Sequence, residues 1–313
     1  MSTDPWEQYY RAGWLVSAPL GSRQGYAGEL LAQWQRFFAD VAPGSRIVDL
    51  CTGNGAIALI ARDVAVARRT SFDIHGIDQA AIDPPSHVDG GSRLFEGIRF
   101  HGGVLAEALP FEAASVQAVS GQYALEYTDV AATLHELARV IEPGGRALFV
   151  LHRADSPLTA HARESAALGD LIFRETRVFE YLRRFVESEK LEPRRAPALH
   201  RRLAAIGQEL RAAARTTPHP QLLEGVLAAL ARIFAARRRA GTSDLLKSIH
   251  QTESSVRTMI RLLKQLGSVA MSREQLESVV AGAEKSFQTR VDSEDGAGAA
   301  SGDWRLFLQR RAN

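Results

Sequence analysis

The sequence predicts an α/β fold, namely a doubly wound and mostly parallel sheet that carries a large all-helical insertion. Over the first 150 residues, short apolar segments alternate with helical patterns, as is typical of a parallel sheet with helices on both faces. Residues 156–270 are rich in Ala, Leu, Arg and Glu and show almost no strand pattern. The last segment returns to one helix and two strand-like stretches.

The candidate strands are short and are bounded by Gly, Pro, Asp or Ser. The first five are predicted at Arg46–Leu50, Phe72–Ile77, Ile98–His101, Val116–Ser120 and Arg146–His152. Apolar residues at helical spacing predict helices over Gly25–Val41, Gly55–Asp63 and Val130–Ile141. Because helices separate consecutive strands, these strands are expected to run parallel.

Three segments follow from this pattern. Residues 1–155 are expected to hold N-terminal helices and a cofactor-binding α/β core. Residues 156–270 are expected to form a helical insertion, with helices near 158–190, 197–215, 219–239 and 243–266. Residues 271–313 are expected to complete the core with a helix and a strand hairpin, at Ser272–Glu284, Phe287–Val291 and Asp303–Gln309.

Composition narrows the class of protein. Hydrophobic residues make up 45% and charged residues 24%, which is ordinary for a soluble globular chain. The single cysteine excludes an intramolecular disulfide and a zinc site of several thiolates, so no metal site is expected and a cytoplasmic location fits. The N-terminus lacks the features of a secretory signal, and no apolar stretch approaches the ~18 residues of a membrane span.

Charge is distributed unevenly. Residues 152–270 contain 21 Lys and Arg against 12 Asp and Glu, although the whole chain carries a net charge of only +2. A basic segment on an acidic body can attract anionic substrates or nucleic acid. The alternative is that these Arg-rich helices simply present solvated faces.

The strongest local signal lies in residues 46–63, RIVDLCTGNGAIALIARD. An apolar strand carries Asp49 at its end, a turn with Gly53, Asn54 and Gly55 follows, and a helix then begins. Glycines allow a sharp turn and the close approach of a ligand. A helix N-terminus offers unpaired N–H groups and partial positive charge. This strand, loop and helix therefore predict a nucleotide-binding site.

The spacing alone leaves the cofactor open, because Gly53, Gly55 and Ala58 also fit the G-x-G-x-x-A pattern of dinucleotide-binding proteins. The carboxylate of Asp49 would repel a pyrophosphate, but it can receive the cationic amino group of S-adenosylmethionine. At this point the sequence resembles the class I methyltransferase family, whose first motif is an acid at the end of strand one followed by G-x-G. The family often has glycine where this chain has Cys51.

The resemblance implies further cofactor contacts. Asp78, followed by Gln79, ends the second strand, where an acid can accept hydrogen bonds from ribose hydroxyls. Helix capping is the alternative role for Asp78. Residues 104–119 are similar to the family's loop after strand three, so the backbone of Leu105 and Ala106 is expected to hold the adenine. Family members often carry Asp near Leu105 and at Gln117, and this chain departs from the family there.

The resemblance also implies a seven-stranded sheet whose last strand, Trp304–Gln309, is antiparallel. It covers residues 46–152, including a Pro-Gly-Gly turn before the fifth strand, and extends more weakly to 272–311. It does not extend to the helical segment.

Ligands of this fold class bind outside the carboxyl ends of the strands, which places Gln122, Tyr123, Glu126 and Tyr127 near the methyl donor. His152, at the end of the fifth strand, is the first candidate for a general base if the acceptor is a neutral hydroxyl. Glu126 is the second candidate, and Tyr127 is the third catalytic candidate. For His152 the alternative role is a hydrogen bond to a backbone carbonyl, and for the other four residues it is packing or helix capping.

Aromatic residues near the N-terminus, Tyr9, Tyr10 and Trp14, are candidates to close over the cofactor, because aromatic rings favour a sulfonium cation. A hydrophobic lid packed on the domain is the alternative.

The predicted function is S-adenosylmethionine-dependent methyl transfer to a small-molecule acceptor by in-line displacement. RNA is a second possible acceptor, bound by the basic helices, although the segment has few aromatic residues and no known RNA module. A non-catalytic S-adenosylmethionine-binding relative and a nicotinamide-dependent oxidoreductase are further alternatives, and Asp49 disfavours the latter. The helical segment is expected to cap the acceptor site or to form a homodimer, and no membrane partner is expected.

Overall fold

A computed structural model describes residues 4–17, 23–191, 194–237, 239–293 and 302–312. Most of the loop between the two C-terminal strands lies outside the described residues. The chain divides into two compact units, residues 1–159 with 269–313, and residues 160–268. We call these the sheet unit and the helical unit. None of the described helices is long and apolar enough to cross a membrane.

The sheet unit contains one sheet of seven strands among its described residues, in the order β3-β2-β1-β4-β5-β7-β6. Strands β1 to β5 pair in parallel, and β7 is antiparallel to both of its neighbours. This confirms the predicted sheet and its antiparallel last strand. The strands are β1 (Arg46–Leu50), β2 (Asp73–Asp78), β3 (Ile98–Gly102), β4 (Val116–Gln122), β5 (Ile141–Leu151), β6 (Phe287–Ser293) and β7 (Trp304–Arg310).

The helices of the sheet unit are α1 (Pro5–Arg11), α2 (Gly28–Ala39), α3 (Ala56–Ala67), α4 (Pro84–His87), α5 (Gly91–Leu94), α6 (Val130–Val140) and, after the helical unit, α12 (Arg273–Ala283). The sequence did not predict α4 and α5, because four residues are too few to show a helical period. A short 3₁₀ turn, Leu125–Tyr127, follows β4.

Each face of the sheet has its own apolar core. On one face, Trp34 and Phe38 of α2 and Ile57 of α3 pack with Ile47 of β1. On the other face, Leu137 of α6 and Leu276 of α12 pack with side chains of β1, β4, β5 and β7, among them Val48, Val119, Phe149 and Leu306. Four of the five β1 side chains are buried, as expected for a central parallel strand covered by helices on both faces.

Only helices and turns occur in the described residues of the helical unit. They are α7 (Pro157–Asp170, which begins in the sheet unit), a π-helical turn (Leu171–Glu175), α8 (Val178–Leu191), α9 (Ala196–Thr216), α10 (Gln221–Ala236) and α11 (Thr242–Val269). Their buried faces form a separate core that includes Phe179, Leu182, Ile206, Leu223 and Ile249.

The prediction of one continuous helix over 158–190 is wrong. The helix is interrupted between Asp170 and Val178. The Thr176 hydroxyl donates to the Ile172 carbonyl oxygen at 3.1 Å, and Arg177 adopts a left-handed backbone with φ 50°. The hydrogen bond from the Thr176 side chain and the left-handed backbone of Arg177 both change the direction of the chain. Neither feature can be recognised from the spacing of apolar residues.

Helix α12 begins with a reciprocal capping box. The Ser272 hydroxyl accepts the Gln275 N–H at 3.2 Å, and the Gln275 side chain accepts the Ser272 N–H at 2.8 Å. Both bonds satisfy backbone donors that the first helical turn leaves unpaired. The sequence predicted this helix from Ser272, but not the role of Gln275.

We expect Ser272→Ala to lower the free energy of unfolding by about 1 kcal/mol, because it removes the side-chain acceptor of the cap. Denaturant unfolding followed by circular dichroism measures the change. Ser255→Ala is the matched control, since the Ser255 hydroxyl bonds within a helix to the Gln251 carbonyl. Equal destabilisation by the two variants would contradict the capping role.

Candidate active site

The loop after β1 depends on left-handed backbone conformations. Cys51, Gly53 and Gly55 have φ values of 49°, 53° and 81°. Cys51 therefore adopts a conformation that favours glycine, at the position where the resembling family often has glycine. A Cβ on Gly55 would lie 2.7 Å from the Phe100 ring, so this glycine is required for packing as well as for the turn.

Asp49 lies on β1 and is 1% exposed. One carboxylate oxygen accepts the Thr52 hydroxyl at 2.6 Å, and the other accepts the Ser120 hydroxyl of β4 at 2.8 Å. Burial raises the pKa of Asp49 to about 7, although the two hydroxyl donors oppose the shift. Thr52 and Ser120 are contacts that the sequence analysis missed, and Ser120 reaches Asp49 only because β1 and β4 are neighbours.

Asp78 ends β2 and is also buried. Its carboxylate accepts the Gly53 N–H at 2.9 Å and the Ala80 N–H at 2.8 Å. Burial raises the pKa of Asp78 to about 6. The side chain thus ties the glycine turn to the second strand, and each oxygen retains a lone pair that can accept a hydroxyl.

The site is rich in buried acids without partner cations. Within the described part of the chain, no Lys, Arg or His side chain forms an ion pair with Asp49, Asp78 or Glu126. Buried carboxylates that lack a counter-ion are costly and favour a cationic ligand. These carboxylate acceptors and the glycine turn fit the amino group and ribose of S-adenosylmethionine.

Helix α1 closes this site. The Asn54 amide donates to the carbonyl oxygens of Tyr10 at 2.9 Å and Trp14 at 2.8 Å. The Tyr10 ring lies against Gly53, where an added Cβ would be 2.6 Å from Cζ. Trp6 stacks on Tyr10, with 5.7 Å between ring centroids. Asn54 therefore holds the N-terminal segment as well as belonging to the turn.

Two small cavities of about 20 Å³ each remain beside Cys51. Asp49 and Gln122 line the first, and Asp78, Gln79 and Ala106 are among the residues that line the second. Ligand pockets typically measure ~300–1,000 Å³, so neither cavity admits a nucleotide as it stands, and Tyr10 lines the first of them.

The Leu105 side chain is 52% exposed, whereas its neighbours Val104 and Ala106 line the second cavity. The adenine contact through the Leu105 backbone stays a prediction.

The predicted acceptor-side residues lie at the ends of β4 and β5. The Gln122 side-chain oxygen accepts the Trp34 indole N–H at 2.8 Å. The Glu126 carboxyl accepts the His152 backbone N–H at 2.9 Å. The His152 ring stacks on Tyr123 and meets the Tyr127 ring at a steep angle, with centroid distances of 3.9 Å and 6.2 Å. The structure therefore gathers Tyr123, Glu126 and Tyr127 around His152, whereas the Gln122 side chain is bonded to Trp34.

Burial sets the protonation of the two candidate bases. It raises the pKa of Glu126 to about 8 and lowers the pKa of His152 to about 3. At neutral pH, Glu126 therefore carries a proton and His152 is uncharged. One oxygen of Glu126 and Nδ1 of His152 are buried without a hydrogen-bond partner. In this state His152 is poorly matched to a general base, whose pKa should lie near the working pH.

A larger cavity of about 610 Å³ lies away from these strand ends, against α2 and strands β5 to β7. Arg146 and Arg290, which line it, lie 3.8 Å and 3.3 Å from Asp40 and Asp292. Because these arginines are already paired with acids, we do not assign the cavity to the reaction.

The geometry agrees with the comparison to protein families. Residues 48–149 match a family described as a methyltransferase domain. The chain contains a class I methyltransferase domain. This confirms the resemblance carried by Asp49, the glycine turn and Asp78. The domain belongs to the class that uses S-adenosylmethionine, which is the cofactor that the sequence predicted.

Solved structures resemble the methyltransferase domain at low identity. A geranyl diphosphate methyltransferase in complex with GPP and sinefungin is 22% identical, with TM-score 0.32, over 38% of this chain and 45% of that chain. A putative methyltransferase from Methanococcus maripaludis is 10% identical, with TM-score 0.40, over 90% and 85%. A SAM dependent methyltransferase from Aquifex aeolicus is 8% identical, with TM-score 0.44, over 90% and 89%.

The first of these matches spans less than half of the other protein's length. All three TM-scores are below 0.5. No curated protein matches the chain. Across the described residues, no group of three or more His, Cys, Asp or Glu side chains is arranged to hold a metal ion.

The buried acids predict an unusual dependence of stability on pH. Because the folded-state pKa of Asp49 is raised, the folded protein binds more protons than the unfolded chain, and stability falls as pH rises from about 4 through 7. We expect Asp49→Asn to be more stable than the wild type by ~1–3 kcal/mol at pH 8 and to weaken this dependence. Urea unfolding between pH 5 and pH 8 measures both effects.

The exposed carboxylate Asp63, paired with Arg62 on the surface, provides the control Asp63→Asn. An Asp49→Asn protein that is less stable than the wild type at pH 8 would show that the Asp49 carboxylate stabilises the ligand-free fold.

Proposed function

We propose that the chain is an S-adenosylmethionine-dependent methyltransferase that acts on a small-molecule acceptor. The observation that carries the proposal is the pair of buried acids, Asp49 and Asp78, at the ends of adjacent strands around the Gly53 turn, with no partner cation among the described residues. The family match over residues 48–149 supports the same cofactor.

Each residue of the proposed cofactor site has a separate role. Asp49 receives the amino group of the cofactor, and Asp78, with Gln79 beside it, receives the ribose hydroxyls. The turn at Cys51 and Gly53 allows the close approach of the backbone, and Ala106 packs against the adenine. The bound cofactor supplies an electrophilic methyl group. Catalysis then depends mainly on holding the acceptor in line and excluding water.

On the acceptor side, Gln122, Glu126 and His152 offer hydrogen-bonding atoms that carry no net charge at neutral pH. The O–H group of neutral Glu126 donates a hydrogen bond to the acceptor. Nδ1 of His152 accepts or donates a hydrogen bond, according to the tautomer. We expect these groups to orient the acceptor. His152 takes the acceptor's proton only if substrate binding raises its pKa toward neutrality. Tyr127 closes the same side of the site.

Cofactor affinity should increase with pH. A bound ammonium group favours ionised Asp49, whose pKa is raised to about 7, so we expect affinity for S-adenosylmethionine to rise about tenfold between pH 6 and pH 8. Calorimetry in buffers of different ionisation enthalpy would also show proton release near pH 7.

Asp49→Asn should weaken the binding of S-adenosylmethionine about 30-fold or more, because it removes the charge that pairs with the ligand.

The surface variant Asp63→Asn is again the control and should bind like the wild type. If the wild type binds neither S-adenosylmethionine nor S-adenosylhomocysteine between pH 6 and pH 8, the proposed function is wrong. Binding of NAD instead would support the oxidoreductase.

Helix α1 must release the Gly53 turn before the cofactor enters. Tyr10→Ala removes the ring that lies on Gly53, so we expect the association rate of S-adenosylmethionine to increase, and stopped-flow tryptophan fluorescence measures it. Tyr181→Ala in the helical unit is the control. An unchanged association rate in Tyr10→Ala would show that opening of α1 does not limit entry.

The class of methyl acceptor is identified by following the transferred methyl group. Labelled S-adenosylmethionine, incubated with the small-molecule and RNA fractions of a cell extract, reports which fraction gains the methyl group. The basic charge of the helical unit favours RNA as the second candidate, and steep salt dependence of binding would support it. Label in RNA alone would contradict a small-molecule acceptor.

The helical unit is proposed to cap the acceptor site or to form a homodimer, in a protein of the cytoplasm. Sedimentation at increasing protein concentration tests the dimer. A crystal structure with S-adenosylhomocysteine tests the cap, which is wrong if no residue of 156–270 lines the acceptor cavity.

A further inference from the structure

The ring of His152 is held in place by residues far from it in the sequence. Its backbone N–H donates to Glu126 at 2.9 Å, and its carbonyl oxygen accepts the Met271 N–H at 2.8 Å. These two bonds fix the backbone of His152 but not the plane of its imidazole. That plane is set by Tyr123, which lies parallel to it within 9° at a centroid distance of 3.9 Å.

The stacking geometry is imposed by the surroundings. Aromatic pairs prefer offset or edge-to-face arrangements with centroids 4.5–7 Å apart, and face-to-face stacking is less favourable. The two rings of Tyr123 and His152 are closer and more nearly parallel than that. Attraction between the rings therefore does not account for the arrangement, and Tyr123 must be held from elsewhere.

Two restraints hold Tyr123. At the backbone, it adopts a left-handed conformation with φ 54°, which is unfavourable for a bulky side chain and is found mainly at functional sites. Its N–H donates to the Val150 carbonyl of β5 at 2.8 Å. At the far end, its hydroxyl donates to the Asp303 carboxylate at 2.6 Å, and both side chains are buried.

The imidazole of His152 has a hydrogen-bonding atom without a partner. Nδ1 of His152 is buried without a partner, as is one oxygen of Glu126. Buried polar atoms without partners are costly and rare. The two residues are joined by the hydrogen bond from the His152 backbone N–H to the Glu126 carboxyl, and two such atoms on bonded residues indicate that a ligand completes the set.

We propose that Tyr123, anchored by Asp303, is a positioning residue that fixes the imidazole of His152 for the methyl acceptor. The inference rests on the proposed function and adds Asp303, the residue before the terminal strand β7, to the acceptor side of the site. Neither Tyr123 nor Asp303 is required to touch the cofactor.

The test uses Tyr123→Phe, which keeps the ring and loses the hydroxyl, Tyr123→Leu, which loses both, and the pair Asp303→Asn and Asp303→Ala. Tyr181→Phe in the helical unit is the matched control. The activity readout is the initial rate of label transfer from S-adenosylmethionine to the small-molecule fraction of a cell extract. Calorimetry measures cofactor affinity in each variant.

We expect Tyr123→Leu and Asp303→Ala to lose about 10- to 100-fold in transfer rate, because the acceptor is misplaced. Their cofactor affinity should stay within about twofold of the wild type, since Asp49 and Asp78 are unchanged. Asp303→Asn, which retains a hydrogen-bond acceptor, should recover most of the rate. The proposal is wrong if Asp303→Ala and Tyr123→Leu retain full activity. It is also wrong if their loss of activity is fully explained by weaker cofactor binding.

An NMR measurement on isotopically labelled histidine keeps the test independent of activity. The stacked Tyr123 ring should shift the His152 ring protons upfield, and Tyr123→Leu should abolish that shift in the folded protein. His152→Gln assigns the resonance. If the wild type neither binds the cofactor nor transfers the label, the proposed function fails. Unchanged His152 resonances in Tyr123→Leu would refute the positioning role alone.

Discussion

The burial of two carboxylates, Asp49 and Asp78, governs the architecture around the candidate cofactor site. An ionised carboxyl inside a protein is costly unless donors or a cation compensate it. Here the compensation consists of two hydroxyls for Asp49 and two backbone N–H groups for Asp78. These donors do not offset the desolvation by burial, so the pKa of each acid is raised. The burial of these two acids destabilises the ligand-free site, and the same burial favours a cationic ligand.

Helix α1 adds to this cost, because it excludes water from the acids. The aromatic side chains of α1 cover the glycine turn, and the Asn54 amide ties the segment to the loop through two carbonyl oxygens. Covering the acids with aromatic rings deepens their burial, yet it also leaves rings close to where a sulfonium would lie, and aromatic faces attract cations. We therefore expect α1 to open when the cofactor enters.

The acceptor side works through neutral groups. Glu126 and His152 are each shifted by burial toward their uncharged forms, so we expect a methyl acceptor bound there to meet hydrogen-bonding atoms instead of charges. This suits methyl transfer, in which positive charge leaves the donor and strong fixed charges near the acceptor are not required. It also explains why positioning of rings, such as Tyr123 against His152, is the feature on which we expect the rate to depend.

The sequence by itself determined the sheet, because strand and helix periods and the order of the motifs are local properties. It predicted all seven strands, β1 with the observed bounds, and it predicted Asp49, the Gly53 turn and Asp78 as neighbours in the site. It did not determine the break at Arg177, the Ser120 contact to Asp49, the closure by Tyr10 or the Asp303 contact to Tyr123. These depend on which strands become neighbours and on how far each group is buried, and only the tertiary structure brings together side chains as distant as residues 123 and 303. Protonation follows the same rule, since burial raises the pKa of Glu126 to about 8 and keeps this side chain uncharged at neutral pH, and burial is a property of the packed fold.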